Sequence, residues 1–539
     1  MYDDFDRRSL LRLGLAGGAA AAIASAVAGQ ARPTRGFTHG LASGDPSAES
    51  VLLWTRCVGG GNAAIPLRVE VAEEPGFGRI VARGEGMADP AADWCTQIRV
   101  AGLTPGKWYF YRFVAEGGRS ETGRTRTLPR GRTARFNIAV FSCSNDGFGF
   151  FNAYGHAARR DDIDLVVHVG DYIYEYRHDT YPLTGQVVGG RLAAPNHEIV
   201  SLSDYRTRYA AYRQDPNLRA LHRRFPIVSI WDDHEFANDA WKDGAENHQA
   251  EDGAWNARKA AARQAHGEWL PNATRAYNRY DIGDLVSMLV VDTRIEGRDR
   301  QLSLAGAIKG GREGLIALRD GAWVDPKRTL LGFEQEQWVS DQLKASTGAG
   351  TRWQLLAQQL VMGNISTPKA AADWLGADAT PRVRGAVQAG VAAGSVGLPL
   401  SMDTWGGYRP ARSRLLKSAQ DAGANLVVVS GDSHNAWACD LAEGGQPAGV
   451  EFAGQAVTSP GFEAALKADP AVVAAGLIET NPELKWADMS RRGYLTVSFT
   501  PDAARADWVF MQSVLSPTLA VSGGRAARVR RGRGQIELI

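Results

Sequence analysis

The chain is poor in cysteine, with 4 in 539 residues, and this scarcity excludes a framework of disulfides as the basis of the fold. It also lacks an excess of either charge: 61 basic against 59 acidic residues leave a formal charge of +2, so we expect no nucleic-acid-binding patch. After residue 30 no apolar run reaches the roughly 20 residues that a transmembrane span requires. Apolar residues make up 44% of the sequence, which is ordinary for a globular protein with a large core.

The N-terminus has the pattern of an export signal. Arg7 and Arg8 precede a weakly apolar run that ends near Val27, and Ala26-Val27-Ala28 is suited to cleavage. A membrane anchor is the alternative, but Arg12 and several glycines interrupt the run. Residues 1–30 are therefore predicted to be a twin-arginine signal peptide, which implies the twin-arginine export machinery as a partner and a periplasmic or secreted mature protein.

Residues 36–130 have short alternating apolar stretches broken by Gly and Pro, as in Leu67 to Val71 and Trp108 to Phe113. Alternation with frequent turns indicates an N-terminal β-sandwich domain. Cys57 and Cys95 both lie in this domain. They could form a disulfide in an oxidising compartment, or they could stay two buried thiols, and the sequence leaves both alternatives open.

From residue 134 the pattern changes to apolar runs that alternate with helical segments, which is typical of an α/β sheet. We predict a catalytic domain over 134–520 and a basic C-terminal tail over 521–539. Two Gly- and Ala-rich stretches, Gly297 to Gly321 and Ala370 to Gly397, lack clear periodicity and are predicted to be surface insertions.

Four of the apolar runs are followed at once by residues able to bind metal. These four motifs are Phe141-Ser142-Cys143-Ser144-Asn145, Gly170-Asp171-Tyr172-Ile173-Tyr174-Glu175, Trp231-Asp232-Asp233-His234-Glu235 and Ser430-Gly431-Asp432-Ser433-His434-Asn435. Each alone has a plainer interpretation, such as an inert buried thiol at Cys143 or a turn cap at Asp171. Together, at one end of one sheet, they predict a metal site, since ligands collect at the carboxyl ends of strands and clustered carboxylates need a cation.

The donor types indicate two kinds of metal. A thiolate (Cys143) and a phenolate (Tyr174) suit a Lewis-acidic ion such as ferric iron, whereas the excess of carboxylates suits Ca²⁺ or Mg²⁺. Asp171 can bridge two ions, and Tyr174, three residues further on, can reach the same ion as Cys143.

At these residues the sequence resembles the PhoD-type alkaline phosphatases, a branch of the calcineurin-like metallophosphoesterases. The resemblance covers nearly the whole mature chain, and FTHGLASGDP at 37–46 and LWTR at 53–56 are similar to the opening of the family's N-terminal domain. The wider superfamily has a carboxylate or an imidazole where this sequence has Cys143. It has an Asn where this sequence has Asp233, and a His where this sequence has Asp432. These departures follow the PhoD branch and favour Ca²⁺.

The resemblance implies an α/β fold built as a four-layer α+β metallophosphoesterase sandwich, behind an N-terminal all-β domain of the fibronectin or immunoglobulin type. It implies one Fe³⁺ held by Cys143, Asp171, Tyr174 and either His434 or Asp432. One or two Ca²⁺ would be held by Asp171, Asp233 and neighbouring carboxylates. The implied enzyme is an alkaline phosphatase that hydrolyses phosphomonoesters and often phosphodiesters, and we expect it to be a monomer.

The predicted mechanism is direct attack on phosphorus by a hydroxide that bridges two metals, because such ions lower the pKa of water from about 15.7 to about 7. By analogy, His234 would serve the leaving oxygen as an acid or charge stabiliser. Asn145 would donate to a phosphoryl oxygen, unless it only forms a turn. Arg294, after another strand, would clamp phosphate, unless it pairs with Asp292 or lies on the surface.

Three other functions compete with this hypothesis. The first is a phospholipase-type phosphodiesterase, because some relatives of the family are phospholipases. Ser433 beside Asp432 could instead be a nucleophile, as in the classical alkaline phosphatases. A secreted binding protein that has lost activity is the third, although four intact motifs argue against it.

Overall fold

Two large β-sheets pack face to face in the structure, a computed structural model that describes residues 35–272 and 275–539. The predicted signal peptide lies outside these residues. In spatial order, the ten-stranded sheet contains β22 (Ile536–Leu538), β21 (Val521–Arg530), β20 (Ala503–Met511), β19 (Gly493–Phe499), β9 (Phe136–Phe141), β10 (Leu165–His168), β11 (Pro226–Ser229), β1 (Gly36–Gly44), β2 (Ser50–Val58) and β5 (Cys95–Ala101).

The seven-stranded sheet contains β12 (Asn278–Ile282), β13 (Val286–Val290), β14 (Trp353–Ala357), β15 (Leu426–Ser430), β17 (Gln446–Ala453), β16 (Ala436–Glu443) and β18 (Leu484–Asp488). At the centre of each sheet the strands run parallel, with Val167 opposite Val140 and Val428 opposite Leu356. Parallel strands are covered on both faces, which explains why the central strands are continuous apolar runs.

The helices in the described residues are α1 (Asn152–Ala157), α2 (Leu202–Tyr212), α3 (Pro216–Arg224), α4 (Trp255–Trp269), α5 (Leu304–Ile308), α6 (Gly311–Asp320), α7 (Phe333–Gly348), α8 (Pro381–Gly394), α9 (Arg409–Asp421) and α10 (Pro470–Thr480). The local sequence determines where several of these helices begin. The side chains of Asp215 and Asp469 accept backbone N–H bonds at the first turns of α3 and α10, and a proline fills the first position of each helix.

Three apolar layers hold the catalytic part together. Helices α1 to α4 pack on the outer face of the ten-stranded sheet through residues such as Tyr209 and Ile227. Residues such as Val167 and Val427 fill the space between the sheets, and α7, α9 and α10 cover the outer face of the seven-stranded sheet. The predicted four-layer sandwich is confirmed, with each sheet lying between a helical layer and the other sheet.

The N-terminal domain is rich in strands, as predicted. A separate sheet of β3 (Ile65–Ala72), β4 (Ile80–Ala88), β6 (Trp108–Ala115), β7 (Gly118–Arg119) and β8 (Gly123–Arg126) packs against β1, β2 and β5. However, β1 also pairs in parallel with β11, with Ser43 opposite Pro226. One sheet of the sandwich is therefore continuous with the catalytic sheet. Cys57 and Cys95 are both buried here as free thiols.

The predicted C-terminal tail over 521–539 is wrong, because this segment forms β21 and β22 at the edge of the ten-stranded sheet. Ala527 and Val529 are buried while Arg528 and Arg530 point outward to Glu537. The arginines alternate with apolar residues at the period of a strand. The two predicted insertions carry α5, α6 and α8, which pack on one another through residues such as Leu315 and Ala393. Along the part of the chain that the structure describes, no helix combines the length and apolarity needed to span a bilayer.

Candidate metal centre

The four motifs converge on one region. Three of them follow β9, β10 and β11 of the ten-stranded sheet, but the fourth follows β15 of the seven-stranded sheet. The expectation that all four lie on one sheet is therefore wrong: the two sheets present their motif loops to each other. Gly431 permits this approach, because an added Cβ would lie 2.4 Å from the Oγ of Ser142 on the other sheet. Gly170 permits the close approach of two loops of the ten-stranded sheet, because an added Cβ would lie 2.4 Å from the Cβ of Asp232.

A thiol, a carboxylate and an imidazole form the first ligand group. Ligand atoms of Cys143, Asp171 and His434 all lie within 4.8 Å of one another, and the three residues are buried. The Tyr174 hydroxyl donates to Asp171 Oδ2 at 2.9 Å and lies 3.5 Å from His434 Nε2. The Nδ1 of His434 lies 2.7 Å from the carbonyl oxygen of Pro460, which leaves Nε2 directed toward the group.

A second group consists only of carboxylates. Oxygens of Asp232, Asp233 and Asp432 lie within 4.8 Å of one another, and Asp171, Asp233 and His234 form a third group that connects the first two. Of the two candidates that the sequence leaves open, His434 lies with Cys143, and Asp432 lies with the other carboxylates. Asp171 belongs to two groups, as its predicted bridging position requires.

The backbone is strained at four residues of these groups. Cys143, Asp171, Asp432 and His434 have φ angles of 59°, 55°, 55° and 62°, in the left-handed region that non-glycine residues rarely adopt. Strain of this kind persists only where the surrounding structure imposes it, and it concentrates at functional sites.

Buried carboxylate oxygens without hydrogen bonds show that the residues fit a cation. In the described structure Asp171 Oδ1 and Asp232 Oδ2 are buried and accept no hydrogen bond. Such orphaned atoms are rare in folded proteins and often mark an ion site. Hard carboxylate donors beside a thiol and a phenol match a mixed pair of ions.

The electrostatics of the site also favour the binding of a cation. Burial, together with Asp233 and Asp432, raises the pKa of Asp232 well above its usual range despite the neighbouring Arg294. Burial opposes the ionisation of Asp171 as well, but His234 and His434 hold its pKa low. Burial also raises the pKa of the Tyr174 phenol. A multivalent cation would favour the ionised form of each of these groups.

Arg294 lies at the site, where its guanidinium contacts carboxylates. Its side chain is fully buried and its nitrogens donate to Asp232, to Asp403 at 2.8 Å and to Asp432 at 2.8 Å. The Nη2 of Arg294 also lies 3.5 Å from Oδ1 of Asp233. The alternative of surface exposure is wrong, and the pairing with Asp292 involves only the backbone N–H of Arg294, which donates to Asp292 Oδ1 at 2.6 Å. With its donors committed to carboxylates, Arg294 serves as their counter-charge.

Asn145 forms the turn that the plainer interpretation predicted. Its Oδ1 accepts from the backbone N–H of Gly147 at 3.1 Å, and its Nδ2 donates to the carbonyl oxygen of Tyr181 at 3.3 Å. Both ends of the amide are therefore engaged within the protein.

His234 is oriented by Glu175, which the sequence reasoning did not select. The His234 Nδ1 lies 2.7 Å from Glu175 Oε2, and Glu175 Oε1 accepts from the backbone N–H of Asn238 at 2.9 Å. Burial would lower the pKa of His234, but Asp171, Asp233 and Glu175 outweigh it and raise the pKa well above its usual value. The neighbouring Glu235 accepts backbone N–H bonds from Asp171 and Asp232 and so ties two motif loops together.

Three more residues of the site were missed. Asp232 lies in a motif that the sequence analysis quotes, so its signal was present. The Ser459 Oγ lies 2.7 Å from the Tyr174 hydroxyl, and the carboxylate of Asp403 accepts a hydrogen bond from Arg294. Neither of these two comes directly after an apolar strand, so the reasoning that found the four motifs could not select them. Ser433, the rival nucleophile, accepts from Trp437 Nε1 at 2.7 Å and donates to the carbonyl oxygen of Asn435 at 3.2 Å.

Comparison with known proteins agrees with this geometry. The family described as PhoD-like phosphatase matches residues 138–508, and the N-terminal domain of PhoD-like phosphatases matches residues 21–129. The chain belongs to the PhoD-like phosphatase family. It is 36% identical over 512 residues to alkaline phosphatase D of Bacillus subtilis (strain 168), across 90% of this chain and 79% of that protein. A solved structure of PhoD matches it with a TM-score of 0.76 and 31% identity, across 94% of this chain and 92% of that one.

Membership of the PhoD-like family confirms the predicted resemblance and the predicted fold class. It also makes the chain a phosphoric ester hydrolase of the alkaline phosphatase kind, as the sequence predicted. The family is metal-dependent, and the described residues contain the acidic and thiol groups described above.

Proposed function

We propose that this protein is a secreted phosphatase that uses iron and calcium to hydrolyse phosphomonoesters and phosphodiesters. The observation that carries the proposal is the junction of two unlike ligand groups. Cys143, Asp171 and His434 lie within 4.8 Å of one another, and Asp171 and Asp233 connect them to a group of buried aspartates.

We assign the iron to Cys143, Asp171, Tyr174 and His434, because thiolate, phenolate and imidazole are the donors that ferric iron prefers. We assign calcium to Asp232, Asp233 and Asp432, with Asp171 shared, because Ca²⁺ prefers several oxygen ligands. When bound, these ions would neutralise charge on the phosphoryl group and supply an activated water.

The residues of the chain then have distinct tasks. Nδ1 of His234 is bonded to Glu175 at 2.7 Å, so Nε2 is the ring atom that can face the ester. We assign to that Nε2–H the donation of a proton to the leaving alcohol oxygen. Glu175 is a positioning residue, since it fixes the ring of His234 without meeting the substrate.

Arg294 and Ser459 support the ligands in this account. Arg294 donates to one oxygen of Asp232 and to one oxygen of Asp432, and so would orient both carboxylates for a cation. The Ser459 Oγ, 2.7 Å from the Tyr174 hydroxyl, would fix the phenol beside Asp171. Asn145 is assigned to the turn after β9, with no contact to phosphate.

Export and oligomeric state belong to the same proposal. The twin arginines Arg7 and Arg8 and the small residues at 26–28 support export of a folded, metal-loaded protein. Replacing both arginines by lysine should retain the protein in the cytoplasm of an expressing cell, as fractionation would show. The expectation of a monomer stays a prediction that sedimentation velocity can check.

A substrate panel with metal analysis tests the function. Purified protein should hydrolyse p-nitrophenyl phosphate and bis(p-nitrophenyl) phosphate, contain iron and calcium by elemental analysis, and lose both activities on chelation. Hydrolysis of the monoester alone would remove the diester part of the proposal. A metal-loaded protein inert toward both esters would instead favour a binding protein.

A further inference from the structure

A buried arginine outside the three ligand groups, Arg208, is bonded to the loop that carries Tyr174. It lies on the buried face of α2, together with Tyr205, Tyr209 and Tyr212. These residues are three or four positions apart and so share one side of the helix. Arg208 is only 3% exposed, so its guanidinium lies in the interior and needs hydrogen-bond partners there.

The guanidinium of Arg208 donates to four backbone carbonyl oxygens. Its Nη1 donates to Tyr174 and its Nη2 to Tyr176 at 3.1 Å. Its Nη2 also donates to Pro195 at 2.9 Å, and its Nε donates to Ala194 at 3.0 Å. A planar fork of N–H groups can reach several oxygens at once in fixed directions, which a lysine ammonium on a flexible stem does not do.

The backbone of residues 174–176 depends on such bonds. This segment has no helix or strand to pair its carbonyl groups, and buried carbonyls without a partner are costly. Arg208 takes the carbonyls of Tyr174 and Tyr176, and the carbonyl of Glu175 between them accepts from the backbone N–H of Ile199 at 3.0 Å. The arginine therefore fixes the path of the segment on both sides of Glu175.

All three residues of this segment contact His234. The ring centroids of Tyr174 and Tyr176 lie 4.2 Å and 5.2 Å from that of His234, and Glu175 Oε2 lies 2.7 Å from its Nδ1. The Tyr174 hydroxyl also donates to Asp171 at 2.9 Å, inside the ligand group. The backbone that Arg208 holds thus determines both where the phenol lies and which way the imidazole faces.

We propose that Arg208 is a positioning residue for the reaction, which holds the phenol of Tyr174 at the iron ligand group and the ring of His234 toward the leaving oxygen. The inference rests on the proposed function, because it takes Tyr174 as an iron ligand and His234 as the proton donor. The four hydrogen bonds of Arg208 all end on backbone oxygens, so it acts through these two residues. A displacement of about 1 Å at a reacting group costs roughly a hundredfold in rate.

Two aryl esters with different leaving groups test the role of Arg208 through His234. p-Nitrophenolate leaves readily without a proton, whereas phenolate, with a conjugate acid of pKa about 10, gains from proton donation. In Arg208→Lys we expect the ratio of kcat/KM for phenyl phosphate to that for p-nitrophenyl phosphate to fall at least about tenfold. A smaller amount of folded enzyme would lower both rates equally and leave the ratio unchanged.

The visible absorption of the iron-loaded protein tests the role through Tyr174, without turnover. In Arg208→Lys the displaced phenol should shift or weaken the band per bound iron. Arg412 is the matched control, a buried arginine of α9 that donates to the carbonyl of Met362 at 2.7 Å and to Glu483 at 2.6 Å, outside the three ligand groups. Arg412→Lys should keep both the ratio and the band of the wild type.

Arg208→Gln, which is shorter and neutral, takes the place of Arg208→Lys if the lysine variant does not fold, and the same changes are expected. An unchanged ratio or an unchanged band in a folded variant overturns the role of Arg208 and leaves the proposed phosphatase intact. Equal changes in Arg412→Lys overturn it as well, because they would show a general effect of losing a buried arginine. A wild type that hydrolyses neither ester would overturn the proposed function and this role with it.

Discussion

The Nη2 of Arg294 lies 2.8 Å from Oδ1 of Asp432, inside a site where both side chains are buried. The same guanidinium contacts Asp232 and Asp403. It is a fixed positive charge among carboxylates that come from separate loops of both sheets. The charge balance of the site thus depends on an arginine as well as on the ions assigned to it.

Arg294→Met should destabilise the protein by about 3–5 kcal/mol, because it leaves buried carboxylates without their counter-charge. Added Ca²⁺ should restore a large part of this loss, since the freed oxygens would bind it. The measurement is the unfolding midpoint with and without Ca²⁺. Arg258→Met is the matched control: Arg258 is equally buried but pairs with Glu198 and Asp252, which belong to none of the three ligand groups, so Ca²⁺ should not rescue it. Equal rescue of both variants would contradict this account.

Tyr174→Phe should abolish or strongly shift the visible absorption of the iron-loaded protein, because it removes the phenolate donor. Tyr209→Phe controls for the loss of a buried phenol, since in the described structure the Tyr209 hydroxyl has no hydrogen-bond partner. An absorption spectrum of each purified variant makes the comparison. An unchanged band in Tyr174→Phe would remove Tyr174 from the iron ligands.

Asp171→Asn should lower kcat/KM roughly a thousandfold, because the metal charge it helps to hold is worth several kcal/mol. Ser433→Ala should lower kcat/KM only about threefold or less, since the Ser433 hydroxyl accepts from Trp437 and donates to Asn435. Steady-state kinetics with p-nitrophenyl phosphate distinguish the two. Complete loss of turnover in a folded Ser433→Ala would support the serine nucleophile instead.

Acid should destabilise the protein through its buried neutral histidines. Burial lowers the pKa of His266 to about 3, while the unfolded chain retains the ordinary value near 6.5. Between these values the unfolded state binds a proton that the native state does not. The free energy of unfolding therefore falls by about 1.4 kcal/mol per pH unit for this residue as pH drops below 6.5.

His266→Phe should remove that contribution, and the ring still fits against Trp231, whose centroid lies 5.2 Å away. Urea unfolding at pH 7 and at pH 5 gives the two free energies. We expect the variant to lose less stability between them than the wild type, whatever its stability at pH 7. Equal losses would show that His266 does not titrate as stated.

The sequence was enough to find the motifs and the strands before them. Buried parallel strands are continuous apolar runs, and a ligand directly after such a run lies at the carboxyl end of a sheet. The same reasoning could not tell which sheet each strand joins. It therefore put the motif of Asp432 on the sheet of Asp171, whereas the two face each other across the sandwich.

The sequence alone could not predict which residues far apart in the chain pair with each other. The donors of Arg294 reach Asp403, which comes from an irregular loop without a strand before it. The C-terminal strands were missed for another reason. Arginine at every second or third position looks like a basic tail, although the alternating Ala527 and Val529 give β21 a buried face.

X-ray absorption at the iron edge tests the central claim most directly, because it detects the sulfur of Cys143 at the metal. The account predicts about one iron per chain with one sulfur neighbour and otherwise oxygen and nitrogen, and loss of that sulfur in Cys143→Ser but not in Cys439→Ala, a second buried cysteine. Iron with oxygen and nitrogen neighbours alone in the wild type, or a protein that takes up no iron, would contradict it.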